Sequence, residues 1–365
     1  MSKLSNQSEI DVVRLRRSLL GWYDDNARDL PWRARDGALP DVYRIWVSEV
    51  MLQQTTVATV GPYFRRFLER WPTLPALASS DLDDVLHAWQ GLGYYSRARS
   101  LHKCARLVHN TLGGVFPTDE AELLKLPGIG RYTAGAIAAI AFDQPTVPVD
   151  GNIERVLARL FAIEDPLPHA KPKLRQLASR FAAPHRPGDF AQALMDLGAT
   201  VCDPRAPRCS HCPLCRFCQG YASNIADTLP RRMPKPKRPL KFAAAFIIVG
   251  ADGAFFLERR PDRGLLGGMM QTPLTPWLEK EPTAKMVAHW APIDATWRRL
   301  PGSIKHGFTH FEVRLILMAA KVDSGCETVL EGLWCSLDDL DRVALPTMMK
   351  KVIRHAEQQG VINAV

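Results

Sequence analysis

Five of the eight cysteines fall within one short segment that follows the predicted helix FAQALMDLGATVC. These five are Cys202, Cys209, Cys212, Cys215 and Cys218. Four thiolates in one compact loop can hold either a [4Fe–4S] cluster or a zinc ion. Without Cys215 the spacing is C-x6-C-x2-C-x5-C, which lacks the two separated CxxC pairs common in zinc sites and therefore favours iron–sulfur. With Cys215 the last four read CxxCxxCxxC, and His211 offers a nitrogen ligand, so the ligand set stays open.

A carboxylate lies among apolar residues in the segment DVYRIWVSEVMLQQT. At helical spacing Glu49 shares one face with Val42, Ile45, Trp46 and either Leu52 or Gln53. Burial raises the pKa of a carboxyl group and favours a neutral acid that can give up a proton near neutral pH. The alternative is a structural glutamate whose charge is balanced by an arginine, either Arg44 or one more distant in the sequence.

A second carboxylate, Asp150, stands directly before a predicted helix in VPVDGNIERV. The N–H groups of the first helical turn can hydrogen-bond to this side chain. A plain helix N-cap is the other interpretation of the same position.

The segment LPGIGRYTAGAIAAIAF, residues 126–142, joins a tight glycine turn to an apolar helix. The hairpin built on Pro127, Gly128 and Gly130 is tight, and the N–H groups of its non-proline residues and the following helix N-terminus are available to a phosphate. The segment is not a dinucleotide fingerprint, because Thr133 stands where the third glycine belongs and no strand precedes it. We predict a helix-hairpin-helix element, with an ordinary glycine turn as the alternative.

The composition of the chain indicates the class of protein in which these sites occur. The 365 residues carry 47 Lys and Arg against 38 Asp and Glu, a formal net charge of +9, with 46% hydrophobic residues. These values are typical of a globular protein of two or three domains and exclude collagen-like, disordered and coiled-coil classes. No apolar run approaches the roughly 18 residues that span a bilayer, so we expect no membrane partner and a cytoplasmic, nucleoid-associated protein.

The hydrophobic pattern divides the chain at a basic, proline-rich linker. From Ser8 to about Tyr221 apolar residues recur at helical spacing, which predicts an all-α half. The stretch ADTLPRRMPKPKRPLK cannot bury a core and should run extended. From about Phe242 the pattern changes to strands, with a hairpin at Asp252-Gly253, a helical stretch around Trp277 to Trp290 and a terminal helix after Pro346. The second half is therefore predicted to be α+β.

Taken together, SEVMLQQT, GLGYYSRAR, LPGIGRYTAGAI, VDGNIERV and the four-cysteine loop resemble the helix-hairpin-helix DNA glycosylases of the endonuclease III superfamily. Within it the closest resemblance is to the adenine-removing branch, which also carries a linker and a Nudix-like domain. The resemblance implies a multi-domain fold. Residues 35–146 would form a six-helix barrel module, 8–34 and 147–222 an iron–sulfur cluster domain, 223–241 the linker, and 242–365 a Nudix-like 8-oxoguanine recognition domain.

The resemblance also implies a reaction, the removal of adenine mispaired with 8-oxoguanine or guanine in double-stranded DNA by a monomer. Glu49 would protonate adenine N7, and Asp150, oriented by Asn152, would stabilise an oxocarbenium-like sugar or form a transient covalent adduct with it. Cleavage of a glycosidic bond by two carboxylates fits this assignment. The adenine pocket would be lined by Arg28, Leu30 and Trp32, while Gln54 and Tyr94 would wedge into the duplex. One [4Fe–4S] cluster would be held by Cys202, Cys209, Cys212 and Cys218.

Tyr132 occupies the position at which lyase-active relatives carry a Schiff-base lysine, which predicts base removal without strand cleavage. Two alternatives remain: an endonuclease III-like glycosylase acting on oxidised pyrimidines, and a non-catalytic iron–sulfur DNA-binding protein.

The second half has no acidic Nudix box after Gly267-Gly268, so it should bind its ligand rather than hydrolyse a pyrophosphate. Phe308, Thr309 and His310 stand where the family usually reads F-S-H opposite 8-oxoguanine, and GLLGG replaces GLWGG.

Overall fold

The computed structural model describes residues 11–34, 38–234, 237–261, 264–323 and 330–362. By the density of their contacts, the residues divide into two compact units, one made of 1–79 and 100–235 and the other of 80–99 and 236–365. The predicted order of an all-α half and a following α+β half is confirmed. None of the described helices combines the length and the apolar character that crossing a membrane requires.

Helices make up most of the chain before the linker. Their bounds are α1 Val12–Asn26, α2 Val42–Leu52, α3 Val57–Arg70, α4 Leu74–Ala78, α5 Leu82–Ala88, α6 Ser96–Thr111, α7 Glu120–Leu123, α8 Arg131–Phe142, α9 Gly151–Leu160, α10 Lys171–Phe181, α11 Pro187–Thr200 and α12 Gln219–Ala222. Polar caps start the helices that matter most for the site. Asp41 accepts hydrogen bonds from the first turn of α2, and Asp150 does so for α9.

The core of the first unit joins α1 to the helices from α8 onward. Leu15 and Leu19 of α1 pack in one buried cluster with Ile153, Leu174 and Phe190, from α9, α10 and α11 respectively. Helix α8 is buried on nearly every side, as its small apolar residues require. These contacts hold the start of α9 and the middle of α11 beside the end of α2.

The predicted hairpin lies between α7 and α8. Gly128 has a φ of +77°, a conformation that glycine adopts without cost, and a Cβ there would lie 2.5 Å from the Cβ of Ser100. Gly130 is the N-cap of α8 and supplies no side-chain acceptor to its first turn. The two glycines thus serve different purposes, since one permits the turn and the other leaves the helix N-terminus open.

The linker is not extended throughout, because Ala226–Thr228 near its start form a turn of 3-10 helix, and part of it is attached to the first unit. The backbone of Leu167 pairs with Arg231 and Met233 through hydrogen bonds of 2.8 and 3.1 Å. Leu229 is buried. The next regular element begins at Leu240, two residues before the boundary predicted from the sequence.

Within the described residues, the second unit contains a seven-stranded mixed sheet. Its strands are β1 Leu240–Val249, β2 Phe255–Arg259, β3 Met270–Gln271, β4 Arg298–Arg299, β5 Ile304–Gly307, β6 Glu312–Lys321 and β7 Leu333–Cys335. The order is β3-β2-β1-β6-β4, with β5 also paired to β6 and β7 to β2. The central pair β1–β6 is parallel, in register from Leu240 opposite Glu312 to Val249 opposite Lys321, and the other pairs are antiparallel.

Helices cover both faces of this sheet. The last helix, α14 Thr347–Gln358, packs on the face that carries Leu315 and Leu317, whereas α13 Ala284–Trp290 packs on the face that carries Ile316 and Met318. Coverage of both faces explains why β1 reads as a continuous apolar run. The helix predicted from Trp277 is wrong for its first half, because Thr283 caps α13 and Leu278 pairs in extended form with Phe242.

Candidate active site

A cavity of about 520 Å³ opens in the first unit, where the end of α2 meets the starts of α8 and α9 and the middle of α11. Its lining includes predicted catalytic, adenine-pocket and wedge residues from widely separated parts of the sequence. Those lining it are Arg28, Leu30, Trp32, Glu49, Gln54, Tyr132, Asp150 and Asn152. The fold therefore brings both predicted carboxylates to one concave site.

Glu49 is buried at 4% exposure in the wall of this cavity. Its Oε2 atom has no hydrogen-bond partner among the described residues. Burial raises the pKa of Glu49 to about 7, and the charge of Asp150 acts in the same direction. A hydrogen bond with Tyr132 and the charge of Arg33 oppose the rise but do not cancel it. The alternative of a glutamate neutralised by Arg44 does not hold, because the Arg44 side chain donates instead to the carbonyl of Pro31, at 2.9 Å.

The Tyr132 hydroxyl contacts both Glu49 and Met195 of α11. It hydrogen-bonds with Glu49 and lies 3.9 Å from the Sδ atom of Met195. Burial and then the negative charges of Glu49 and Asp150 raise the pKa of Tyr132 well above its ordinary value, so the hydroxyl keeps its proton and can only donate to an ionised Glu49.

Asp150 is both an N-cap and a cavity residue, so the two interpretations of this position are compatible. Its Oδ1 atom accepts from the N–H of Ile153 at 2.7 Å, and its Oδ2 atom accepts from the side-chain amide of Asn152 at 3.0 Å. Burial raises the pKa of Asp150, while these hydrogen bonds and the charge of Arg155 act against the rise. The amide of Asn152 is itself fixed, because Arg155 donates to its oxygen at 3.0 Å.

The sequence prediction missed an ion-pair cluster behind this cavity. The fully buried carboxylate of Asp196 accepts two bonds from Arg33, both 2.7 Å, and one from Nε of Arg28 at 2.6 Å. Burial raises the pKa of Asp196, but Arg33 and Arg28 outweigh it, so the net pKa lies below the ordinary value. The signal was the same one that identified Glu49, an acidic residue on the apolar face of a helix, here in ALMDLGA.

Residues 47–183 match the family model of the HhH-GPD superfamily of base excision DNA repair proteins, and residues 244–355 match the NUDIX domain. The chain is 39% identical, over 95% of its length and 79% of the relative, to the adenine DNA glycosylase of Rattus norvegicus. It is also 39% identical, over 94% of its length and 74% of the relative, to the adenine DNA glycosylase of Homo sapiens. The chain belongs to the adenine DNA glycosylase (MutY) family.

This family assignment confirms the predicted resemblance and makes the chain a DNA glycosylase. The helical half is also similar to a solved structure, that of a thermostable thymine-DNA glycosylase. The identity is 28% and the TM-score 0.52, with 58% of this chain and 97% of the other covered. A likeness to that enzyme and to the NUDIX domain confirms the predicted fold, a helix-hairpin-helix glycosylase half followed by a Nudix-like half.

The cysteine segment of this glycosylase encloses a small cavity of its own, lined by all five cysteines of the segment. None of the five forms a disulfide. Arg159 is buried beside them, donating at 3.2 Å to the Sγ atom of Cys202, and its carbonyl accepts from Cys218 at 3.3 Å. In the described part of the chain, no three His, Cys, Asp or Glu side chains converge closely enough to hold a single metal ion.

The other predicted DNA-contacting residues are not part of the cavity lining. Pro127, Gly128 and Gly130 occupy the α7–α8 turn. Tyr94 belongs to the second unit, with 46% of its surface exposed.

The predicted 8-oxoguanine residues form the tip of the β5–β6 hairpin. The N–H of Phe308 donates to the carbonyl of Phe311 at 2.8 Å, and their rings lie 4.9 Å apart, which leaves Thr309 and His310 exposed at the tip. The hydroxyl oxygens of Thr309 and Tyr94 are 3.0 Å apart. The second unit thus brings one predicted wedge residue to the predicted lesion-contacting loop.

Proposed function

We propose that this glycosylase excises adenine from duplex DNA in which the adenine lies opposite 8-oxoguanine or guanine. The observation that carries the proposal is the single cavity that holds Glu49, Asp150 and Tyr132, in a chain whose relatives are named adenine DNA glycosylases. A base must leave the duplex stack to reach such a cavity, at a cost of a few kcal/mol.

Glu49 is the proposed acid. With a pKa of about 7, it holds a proton in a large fraction of molecules at neutral pH, and its unpartnered Oε2 atom offers that proton to adenine N7. Protonation makes adenine a better leaving group, because the electron pair of the breaking bond between the sugar C1′ and the base nitrogen moves onto the base.

Asp150 is the proposed anion that faces the sugar. Bond cleavage leaves positive charge on C1′ and the ring oxygen, and a fixed carboxylate stabilises such charge most when it is already oriented. The hydrogen bonds from Ile153 and Asn152 provide that orientation. Water then adds to C1′ and completes the hydrolysis.

We propose that the reaction stops at base removal, because Tyr132 has no amine with which to form an imine to the sugar. The same residue argues against an endonuclease III-like lyase acting on oxidised pyrimidines. A non-catalytic iron–sulfur protein would have no use for a protonatable Glu49 beside a fixed Asp150.

The test is a base-release assay on duplexes that contain adenine opposite 8-oxoguanine, adenine opposite guanine, or thymine glycol. We expect release from the first two, loss of release in Glu49→Gln with duplex binding retained, and a similar loss in Asp150→Asn. Release by Glu49→Gln at the normal rate would refute the acid assignment, and release of thymine glycol alone would refute the substrate.

We further propose that Cys202, Cys209, Cys212 and Cys218 hold one [4Fe–4S] cluster. Thiolate ligands are the usual donors for such clusters, the cysteines line one small cavity, and their spacing lacks the two separated CxxC pairs common in zinc sites. Arg159 supplies a hydrogen bond and a positive charge to the sulfur side of the cavity. The cluster would hold together the loop after α11, which Arg159 of α9 contacts.

For DNA binding, we propose that the α7–α8 turn contacts a phosphate through Gly128 and Gly130, and that Gln54 and Tyr94 enter the duplex. Thr309 and its neighbours Phe308 and His310 would contact the base opposite adenine. The protein would act as a monomer.

A further inference from the structure

Two cations face each other in the sheet of the second unit. In the antiparallel β5–β6 pair, Lys305 lies directly opposite Arg314, so both side chains project from the same face. Like charges in this relation destabilise a sheet, whereas a Lys–Glu pair would stabilise it. Within the described residues, no ion pair involves either side chain.

Arg314 is also incompletely satisfied. Its guanidinium carbon lies 5.9 Å from the ring centre of Phe242, and its buried Nε–H has no acceptor among the described residues. A buried donor without an acceptor costs about 1–3 kcal/mol. A ligand that brings acceptor oxygens to this face would recover that cost.

A third cation completes the group near the β5–β6 loop. The Arg238 Nη1 atom lies 3.8 Å from the point where a Cβ of Gly307 would be, and Gly307 shares a sheet face with Lys305. Glu312, opposite Gly307, brings a carboxylate to the same face of the β5–β6 pair. The group adjoins Phe308, the first residue of the hairpin tip.

We propose that Arg238, Lys305 and Arg314 bind a backbone phosphate of the DNA strand whose base meets the loop of residues 308–310. The inference rests on the proposed function, because that loop must approach a base for the adjoining phosphate to reach the cations. Guanidinium groups match the geometry of phosphate oxygens, and two of the three cations are arginines. The site would position the strand and carry no sequence information.

Arg299 provides a matched control. It lies on the same face of the sheet, opposite Met318, but its charge is already balanced by Glu281 at 2.8 Å. Its removal should leave phosphate binding unchanged.

The experiment measures binding of the full-length protein to a duplex with an uncleavable abasic analogue opposite 8-oxoguanine, between 50 and 200 mM salt. One phosphate contact contributes about 0.9 to the slope of log affinity against log salt. Because three cations share this one contact, we expect Lys305→Ala and Arg238→Ala each to lower the slope by up to that amount, and Arg299→Ala to leave it unchanged. The two tested side chains are exposed, so folding should not be at issue.

An unchanged slope in both variants would overturn the proposal. Free inorganic phosphate provides a second arm: if it binds the wild type and loses affinity in Lys305→Ala while the DNA slope stays constant, the site serves a small anion and the DNA assignment is wrong. Adenine release is measured separately on the wild type. Its failure would reject the proposed function, whereas a slope change would still report a phosphate contact.

Discussion

The pH dependence of base release gives the most direct test of Glu49 as the acid. Burial places the pKa of this group at about 7 against an ordinary value of 4.5. At pH 7 about half of the molecules would carry the proton, compared with about 0.3% at the ordinary value, a difference of roughly 150-fold. The rate should therefore fall tenfold per pH unit well above pH 7, while its acid side depends on the ionisation of Asp150.

Tyr132→Phe changes this profile in a direction that the structure fixes. The hydroxyl hydrogen-bonds to Glu49 and lowers its pKa, so its removal should raise that pKa. A hydrogen bond to a charged group is worth about 1.5–3 kcal/mol, which corresponds to a shift of the alkaline limb by about 1–2 pH units upward. The measured quantity is the pH at which the rate begins to fall, because the maximal rate also depends on how Glu49 is positioned.

Single-turnover excision with excess enzyme, from pH 5 to 9, avoids any effect of product release. The matched control is Tyr43→Phe, which loses a buried hydroxyl bonded to the carbonyl of Trp71 at 2.8 Å, away from the cavity lining. Its limb should stay in place. A Tyr132→Phe limb that stays in place or moves to lower pH would refute the assignment of the limb to Glu49.

Four further predictions follow from the same contacts. Because the folded-state pKa of Glu49 is raised, the ionisation of this group lowers the free energy of unfolding as pH rises from about 4.5 to 7. Chemical denaturation should therefore find Glu49→Gln more stable than the wild type by up to ~3 kcal/mol at pH 8, and equally stable near pH 4. Cys218→Ala should lose iron and the brown colour while Cys215→Ala keeps both, and the reverse result would show that the ligand set is wrong. Asp196→Asn leaves a buried cation cluster unbalanced and should cost about 3–5 kcal/mol in denaturant unfolding. Thr309→Ala should lower the preference for adenine opposite 8-oxoguanine over adenine opposite guanine in excision assays, and Thr309→Ser should retain it.

Local patterns predicted most of what positions the site. Glu49 could be placed on a buried face because helical periodicity is a property of one segment, and Asp150 could be placed at a helix start because capping depends on the next three residues. The hairpin at Asp252-Gly253 and the helix after Pro346 follow from equally local signals.

Features that depend on distant partners could not be read in this way. Helical spacing could mark Asp196 as a buried acid, but its contacts with Arg28 and Arg33 join residues more than 160 positions apart, so no local pattern identifies these partners. The false start of the helix at Trp277 has the same origin, because the pairing of Leu278 with Phe242 is a tertiary contact that overrides the local pattern. The sequence did indicate that these residues were apolar or charged, but not which neighbours would satisfy them.

Backbone conformation adds independent support for two of the proposed DNA contacts. Gln54 has a φ of +60° and Tyr94 a φ of +48°, a region in which a residue with a Cβ costs about 1–2 kcal/mol relative to the right-handed form. Glycine would relieve that cost at either position. Both side chains are exposed, so core packing does not account for them. Five other residues have a similar φ, namely Asp143, Ala162, Arg186, Asn224 and Leu266, so what distinguishes Gln54 and Tyr94 is the combination of strain with an exposed amide or aromatic ring that can enter a duplex.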